Sequence, residues 1–433
     1  MSPLATGLVG IVVVLILFAA RMPVAYAMAL IGLSGFAYLV SLKGSFSLLA
    51  TDVFTNFNSY SMSVIPLFIL MGFLAFYSGI SQKLYITADK LVGHIRGGLA
   101  MATMIACGAF GAVCGSANAT AATMAAISVP EMKRRNYDPA LATGAVAAGN
   151  ILGPLIPPSM VFIIYGVLTG VSIGKLFIAG IFPGILLIAL YCVTIYILTR
   201  LNPSLGPPGA RASLKDAILS LPGGGGETLL VFGIVMGGLI IGFFTPTEAG
   251  AVGAFAVLLV GFAFRHLNWG GIYKALADSV RTSAFIMLIV TSAMVFGHFL
   301  AVSMIPQTLN TFISTLPLPS YAIMIGIFIV YGILGMFIDA LAMIVLTIPI
   351  FYPLILQLGF DPVWFGVIIV IVGGLGGITP PLGVSAYVVS GISKTPLETV
   401  FKGILPFIGS IFVCLIILLA FPQIATFLPS VMK

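Results

Sequence analysis

Two polar stretches lie in the middle of long apolar segments and carry side chains that could bind an ion. The first is Cys114-Gly115-Ser116-Ala117-Asn118, and the second is Gly335-Met336-Phe337-Ile338-Asp339. If these segments enter a membrane, a charge at the bilayer centre costs about 2.5–3.5 kcal/mol on insertion scales, and Asp339 is interpreted as an ion ligand or proton carrier. The alternative is an aspartate that only stabilises its turn. Ser116 and Asn118 have a similar alternative, a simple turn and helix cap.

Two other apolar segments contain paired prolines that break a helix. They read Gly149-Asn150-Ile151-Leu152-Gly153-Pro154-Leu155-Ile156-Pro157-Pro158-Ser159 and Gly373-Gly374-Leu375-Gly376-Gly377-Ile378-Thr379-Pro380-Pro381-Leu382-Gly383. Proline removes the helical N–H and clashes with the preceding turn, so each segment is predicted to unwind at its Pro-Pro pair. Unwound backbone leaves carbonyl groups for a small cation, and adjoining helix N-termini favour an anion. The alternative for each break is a packing kink.

A constant offset of 223 residues relates these features. It pairs Ser116 with Asp339, and Pro157-Pro158 with Pro380-Pro381. The recurrence predicts two related cation pockets, and their oxygen ligands suit sodium. One pocket joins Ser116 and Asn118 to the carbonyls around Gly153, Pro154 and Ile156, and the other joins Asp339 to Gly376, Gly377 and Thr379.

The composition makes lipid, not water, the solvent of these segments. Of the 433 residues, 60% are hydrophobic and 7% are charged, whereas a soluble domain carries about 25% charged residues. The net charge of +7 would suit nucleic acid, but the basic residues lie in short loops between apolar runs. They are interpreted as determinants of membrane topology. We therefore expect a lipid-embedded protein that does not bind nucleic acid.

Apolar stretches of about 20 residues, the length that crosses a bilayer, recur along the chain. The fold class is therefore predicted to be an all-α polytopic membrane protein with about ten full transmembrane helices. Two broken stretches, 98–130 and 320–354, are predicted to be re-entrant hairpins with polar tips. The predicted crossings are 3–20, 24–41, 62–78, 140–164, 175–198, 227–243, 247–264, 283–302, 363–390 and 403–421.

The basic residues alternate with these crossings. If the N-terminus lies outside, 15 of the 18 Lys and Arg residues fall inside, and only Lys43, Lys175 and Lys433 fall outside. The positive-inside rule therefore predicts that both termini lie outside.

The offset divides the chain into a first repeat at 1–210, a polar Gly/Pro-rich linker at 211–226 and a second repeat at 227–433. Each repeat holds five crossings and one hairpin. Because five is odd, the second repeat enters the membrane from the opposite side. Such inverted repeats are common among secondary transporters, and this one would bring the two hairpin tips together near the midplane.

Thr245-Pro246-Thr247-Glu248 has the pattern of a helix start, with Thr at the N-cap, Pro at the first position and Glu at the third. The alternative is a contact to another subunit. The stretches 81–97 and 266–281 are amphipathic. They are expected either to lie in the membrane interface or to serve as ordinary connecting helices.

No constellation for catalysis or a transition metal emerges, so we do not expect an enzyme. The four cysteines lie within apolar segments without metal-ligand spacing, and the three histidines are far apart. The stretch 170–175 lacks the spacing and the Ser/Thr of a phosphate loop, so no ATP site is expected. One buried aspartate without a second carboxylate or a Ser-His pair argues against an intramembrane hydrolase.

These motifs resemble those of a known family. The Thr-Pro-Thr-Glu-Ala-Gly stretch at 245–250, the Gly-Ser-Ala-Asn-Ala-Thr tip at 115–120 and the twin Pro-Pro breaks are similar to the large membrane subunit of tripartite ATP-independent periplasmic (TRAP) transporters. The resemblance spans essentially the whole chain. It implies a sodium-driven elevator in the bacterial inner membrane, with periplasmic termini. A mobile domain with both hairpins and both broken helices would slide against a scaffold.

The resemblance also implies partners and a substrate class. A small membrane subunit of four spans is expected as a separate chain, since this chain starts with the first span of the large subunit, and a periplasmic protein delivers the substrate. Family substrates are mostly carboxylates, notably C4-dicarboxylates and sialic acid (N-acetylneuraminate), and the chain looks closer to the sialic acid branch. No Arg or Lys falls in the predicted core site, so the carboxylate would rely on helix N-termini and hydroxyls. The expected substrate-binding residues are Asn150, Pro157, Ser159, Thr379 and Pro380.

The sequence leaves two other transport functions open. A stand-alone sodium/dicarboxylate symporter with similar hairpins would need no binding protein. A channel would share the opposed hairpins, although unwound breaks beside one central aspartate fit saturable binding better.

Overall fold

The fold is that of a computed structural model, which describes residues 1–209, 226–263 and 267–432. Every regular element in these ranges is a helix, so the all-α prediction is confirmed. Residues 210–225, 264–266 and 433 lie outside the described ranges. Most of the predicted linker at 211–226 falls there, as do the start of the predicted amphipathic stretch 266–281, the end of the predicted crossing 247–264, and Arg211, Lys215, Arg265 and Lys433, which were used for the topology.

The described helices follow one another with short connections. They are α1 (Pro3–Ala19), α2 (Val24–Leu39), α3 (Leu42–Phe57), α4 (Val64–Tyr77), α5 (Ile80–Val92), α6 (Gly98–Cys114), α7 (Ala117–Arg134), α8 (Pro139–Gly149), α9 (Leu152–Leu155), α10 (Met160–Thr169), α11 (Ile173–Leu201), α12 (Gly226–Ile240), α13 (Pro246–Ala263), α14 (Trp269–Val302), α15 (Ile305–Thr315), α16 (Ser320–Phe337), α17 (Ala340–Gln357), α18 (Pro362–Ile378), α19 (Val384–Ser393), α20 (Leu397–Ala420) and α21 (Gln423–Val431).

Many of these helices suit a membrane. Among the described residues, seven helices are long and apolar enough to cross a bilayer, or eight when the bent pair at 139–169 counts as one span. Each of the ten predicted crossings overlaps a described helix, but five of these helices (α1, α2, α12, α18 and α19) are shorter. Both arms of the second hairpin, α16 and α17, are among the seven. The polytopic class is confirmed, whereas the number of ten crossings and the re-entrant path of the hairpins stay predictions.

Each hairpin turns where the sequence places its polar tip. In the first, α6 ends at Gly115, whose φ of +63° lies in the left-handed region that favours glycine. Ser116 is the N-cap of α7 and accepts from the Ala119 N–H at 3.5 Å. In the second, Asp339 is the N-cap of α17 and accepts from the Leu341 N–H at 3.1 Å. Both side chains therefore cap helices, as their alternative interpretation requires, and capping leaves further carboxylate and hydroxyl lone pairs free for another ligand.

Each broken helix is interrupted at its proline pair. The first consists of α8, α9 and α10 and bends by 41°, and the second consists of α18 and α19. Both pairs, Pro157-Pro158 and Pro380-Pro381, hold a cis peptide bond. The two helices also start alike: Asp138 accepts from the Ala140 and Leu141 N–H groups, and Asp361 accepts from those of Val363 and Trp364. Positions 223 residues apart therefore occupy equivalent places, while the inverted orientation stays a prediction.

The broken helices lie at the centre of the most densely packed group of helices. The Tyr165 hydroxyl of α10 donates to the Pro362 carbonyl at 2.6 Å, which joins one broken helix to the other. Trp364 is 1% exposed and donates its indole N–H to the Leu418 carbonyl of α20 at 2.9 Å. Helix α20 also crosses α8 closely, because Gly403 and Gly144 carry no side chain at the crossing.

A second group of helices surrounds this centre on one side. Helix α2 packs along α14, and α4 packs along α13 and α14. A Cβ atom on Gly32 of α2 would lie 2.9 Å from the backbone nitrogen of Phe296 in α14, so these two backbones also approach closely. The predicted amphipathic stretch 81–97 contains α5, a short separate helix. The stretch 266–281, by contrast, is not separate, because α14 continues unbroken for 34 residues into the predicted crossing 283–302.

The helix start at Thr245 has the predicted capping box. The Glu248 N–H donates to Thr245 Oγ1 at 3.3 Å, and the Thr245 N–H donates to Glu248 Oε2 at 2.8 Å. Thr245→Ala removes one of these bonds, so we expect it to lower the free energy of unfolding by about 1 kcal/mol. The thermal midpoint of purified protein in detergent measures this change.

The control for this prediction is Thr51→Ala. Thr51 is exposed in the interior of α3 and only donates to the Ser47 carbonyl, so its loss should leave the midpoint nearly unchanged. An unchanged midpoint for Thr245→Ala together with a loss of transport would contradict the capping role and favour a subunit contact.

Candidate functional site

The tip of the first hairpin lies directly against the first broken helix. A Cβ atom on Gly153 would lie 2.8 Å from Thr120 Oγ1 and 2.9 Å from the Ser116 carbonyl oxygen. The Met160 N–H, at the start of α10, points to the Gly115 carbonyl at 3.4 Å. The structure therefore brings Ser116 and Gly153 together, as the first predicted pocket requires. Only glycine fits at Gly153, because any larger residue would push the tip away.

Asp339 meets the first hairpin rather than its own broken helix. It lines a cavity of about 60 Å³ together with Ser116, Asn118 and Pro154. Its carboxylate is also hydrogen bonded to the Asn118 side chain. The two hairpin tips therefore meet, and they combine a carboxylate, an amide and a hydroxyl. These are hard oxygen donors of the kind that bind alkali and alkaline-earth cations, and the cavity is large enough for a small ion or a water.

Three helices begin at this cavity. Its lining includes the first residues of α7 (Ala117 and Asn118), of α10 (Met160 and Val161) and of α17 (Ala340 and Leu341). Each helix N-terminus carries the equivalent of about half a positive charge. Together they stabilise a negative charge in the cavity, which is either the Asp339 carboxylate or an anionic ligand. A cation can bind there only because Asp339 contributes a full negative charge at short range.

The second predicted pocket has a different arrangement. A Cβ atom on Gly335, near the end of α16, would lie 3.2 Å from the Gly376 Cα atom, so the second hairpin does contact its broken helix. The Thr379 hydroxyl donates to the Leu375 carbonyl at 2.6 Å, and Gly377 faces the Ser385 side chain. Among the described residues that line the Asp339 cavity, however, none belongs to the second broken helix.

This difference has a simple origin. The 223-residue offset relates each residue to its equivalent in the other repeat, and it led us to group Asp339 with residues of its own repeat. The contact between the two tips joins residues of different repeats, and the offset carries no information about that distance. The prediction that the tips meet was the signal that could have placed Asn118 beside Asp339.

The residues predicted to bind substrate lie in different environments. Asn150 is 1% exposed, and its Nδ2 atom has no hydrogen-bond partner among the described residues. Ser159 is fully buried and accepts from the Phe162 N–H at 3.2 Å as the N-cap of α10. Pro157 is buried beside Ile156, whereas Pro380 is exposed. These five residues therefore do not form one continuous surface, and their role stays a prediction.

A larger cavity adjoins the meeting point of the tips. Its volume is about 340 Å³, and it shares Ser116, Met160 and Leu341 with the smaller cavity. It lies between the hairpins and helices α4 and α14. Sequence reasoning missed it because its walls are mostly ordinary apolar residues, which no motif distinguishes from those that face lipid. The lining residues are Ile69, Gly72, Phe73, Phe76, Cys114, Ser116, Ala119, Ala122, Met160, Thr282, Phe285, Ile286 and Leu341.

Transition-metal chemistry has no support in the described ranges. No group of three or more His, Cys, Asp or Glu side chains there could hold a metal ion. The polar groups at the hairpin tips are therefore a site for binding.

An all-helical protein with many apolar spans, two opposed hairpins and two broken helices belongs to the class of polytopic membrane transport proteins. The fold is similar to that of the Alcanivorax borkumensis YdaH transporter, with a TM-score of 0.65 and 15% sequence identity over 89% of this chain and 88% of that one. It is also similar to Neisseria gonorrhoeae MtrF, with a TM-score of 0.58, 14% identity and coverage of 87% and 84%.

The chain belongs to the family of the DctM component of tripartite ATP-independent periplasmic transporters, whose family model matches residues 11–424. It is 36% identical to a C4-dicarboxylate TRAP transporter large permease protein of Pseudomonas aeruginosa, over 92% of this chain and 93% of that protein. It is 34% identical to a sialic acid TRAP transporter large permease protein of Vibrio cholerae, over 95% of both. An isethionate TRAP transporter permease protein of Oleidesulfovibrio alaskensis is 34% identical, and the chain covers 62% of its length. The resemblance seen in the sequence is thereby confirmed.

Proposed function

We propose that this chain carries a small organic acid across the bacterial inner membrane, driven by sodium, after a periplasmic substrate-binding protein has delivered the acid. The relatives named for C4-dicarboxylates and sialic acid support an organic acid as the substrate class. The observation that carries sodium coupling is the meeting of Asp339 with Asn118 and Ser116 in one small cavity. A cation that binds there reduces the cost of holding an ionised aspartate inside the membrane.

The proposed sites follow from this geometry. Sodium binds at the hairpin tips, with Asp339, Asn118 and Ser116 as side-chain ligands. Carbonyls around Gly153, Pro154 and Ile156 complete this site, and a second site uses Gly376, Gly377 and Thr379. The substrate carboxylate binds beside the N-termini of α7, α10 and α17, since no basic side chain is among the described residues that line either cavity. Asn150, Pro157, Ser159, Thr379 and Pro380 shape this region.

The proposed motion is that of an elevator. The hairpins and broken helices move as one body against the group that contains α2, α4, α13 and α14. The contact between Tyr165 and Pro362 supports a single moving body, because it ties the two broken helices together. A four-span small subunit, expected as a separate chain, completes the scaffold, and both termini lie in the periplasm.

The test is uptake into liposomes that contain this chain, its small subunit and its binding protein. A panel of labelled organic acids, including succinate and N-acetylneuraminate, is offered with and without an inward sodium gradient. We expect uptake of at least one acid to require both sodium and the binding protein. Sodium-driven uptake without the binding protein would instead identify a stand-alone symporter. Uptake that does not saturate and ignores sodium would identify a channel.

A further inference from the structure

The cavity of about 340 Å³ beside the hairpin tips has two chemically different ends. At one end lie Ser116 and the first residues of α10 and α17, where the helix N-termini favour a negative charge. At the other end lie three aromatic rings, those of Phe73, Phe76 and Phe285. A ligand that fills this cavity therefore needs one anionic end and one apolar body.

The walls of the cavity cannot satisfy a second polar group well. Among the described residues that line it, none carries a charge, and beyond Ser116 the only hydroxyl is that of Thr282. A second carboxylate placed against the phenylalanine rings would lose its hydration without gaining a partner, which costs several kcal/mol. A sugar acid would lose the hydrogen bonds of several hydroxyls in the same way, at about 1–3 kcal/mol for each unsatisfied group.

The size and position of the cavity support a small substrate. Its volume lies near the lower end of the range of about 300–1,000 Å³ that is usual for ligand pockets. It also adjoins the cavity of Asp339, so that a carboxylate at Ser116 would lie beside the proposed sodium ligands. Sodium and carboxylate would then neutralise one another, which provides a physical basis for coupling.

We propose that the transported acid is a monocarboxylate with an apolar body, such as an arylacetic acid or a branched-chain 2-oxo acid. This inference rests on the proposed function and narrows its substrate class. The carboxylate lies at Ser116 and the adjoining helix N-termini, and the apolar body lies among Phe73, Phe76 and Phe285. Dicarboxylates and polyhydroxylated acids fit this cavity poorly.

The test measures binding to the purified complex of this chain with its small subunit in sodium buffer. Phenylacetate and 4-methyl-2-oxopentanoate are compared with succinate and N-acetylneuraminate, with thermal stabilisation as the readout, because a ligand that binds the folded state raises the midpoint. We expect the two apolar acids to raise the midpoint and the two polar acids to leave it unchanged. The same four acids are then tested in the liposome uptake assay.

The position of the ligand is tested with matched phenylalanine variants. Phe73→Ala and Phe285→Ala should weaken phenylacetate binding at least about tenfold, because each removes apolar contact area. Phe255→Ala is the control, because Phe255 is 60% exposed on α13 and is not among the cavity residues. Its affinity for phenylacetate should equal that of the wild type.

The outcomes separate the two proposals. Sodium-dependent uptake of succinate or N-acetylneuraminate in preference to the apolar acids would overturn the substrate class and leave the proposed function standing. Phenylacetate binding that is insensitive to Phe73→Ala and Phe285→Ala would overturn the assignment of the cavity, and a lipid acyl chain would then be its occupant. Failure of every acid to bind or to be transported with sodium would overturn both proposals.

Discussion

Asp339→Asn is expected to abolish sodium-dependent uptake while the protein stays folded. Asparagine has nearly the size of aspartate and is also a good N-cap, so the hydrogen bond from the Leu341 N–H can persist. The substitution removes the only negative charge at a cavity where three helix N-termini meet. A sodium ion there would face three positive helix ends without compensation, and we expect the initial rate of uptake to fall at least about tenfold, or ~1.4 kcal/mol.

The matched control is Asp361→Asn. Asp361 is likewise the N-cap of a long helix and accepts two backbone N–H groups, but it is exposed and lies away from the Asp339 cavity. Its variant should keep the sodium dependence of the wild type. If Asp339→Asn transports with unchanged dependence on sodium, Asp339 only stabilises its hairpin and the coupling proposal fails.

Gly403→Leu is expected to prevent the helices from assembling. A Cβ atom at Gly403 would collide with the Ala140 carbonyl oxygen, which is backbone and cannot turn aside. Overpacking in a core typically costs about 1–3 kcal/mol, and a clash with backbone lies at or above the upper end of that range. The measurement is the yield of monodisperse protein in size-exclusion chromatography, followed by its thermal midpoint.

Gly409→Leu provides the comparison on the same helix. A Cβ atom at Gly409 has no heavy atom within 4 Å, so a leucine there faces open space or lipid. This variant should elute as the wild type does and should keep its midpoint. Equal behaviour of the two variants would show that α8 and α20 do not cross as closely as the structure places them.

The helix-breaking residues made much of this fold predictable. Ser116 and Asp339 end up as caps at hairpin turns, and both proline pairs interrupt helices, because local backbone chemistry decides those positions. Helices α3 and α15 were not predicted. They contain Lys43 or many hydroxyl and amide side chains, so their apolar pattern is too weak to resemble a crossing.

The site itself was only partly predictable. The contact between Ser116 and Gly153 follows from neighbouring elements of one repeat. The pairing of Asp339 with Asn118 depends on how two repeats face each other, which no spacing along the chain determines. The aromatic cavity was invisible for a different reason: Phe73 and Phe285 have the same residue type whether they face a substrate or a lipid.

Helix α14 has a mechanical consequence. Its 34 residues extend over ~51 Å at 1.5 Å per residue, whereas the hydrocarbon core is only about 30 Å thick. The helix therefore projects well beyond the hydrocarbon or is strongly tilted, and it has no joint between its amphipathic start and its apolar end. It would act as a stiff lever, so that a load on the surface end at Trp269 reaches the wall of the aromatic cavity at Phe285 without being absorbed by a hinge.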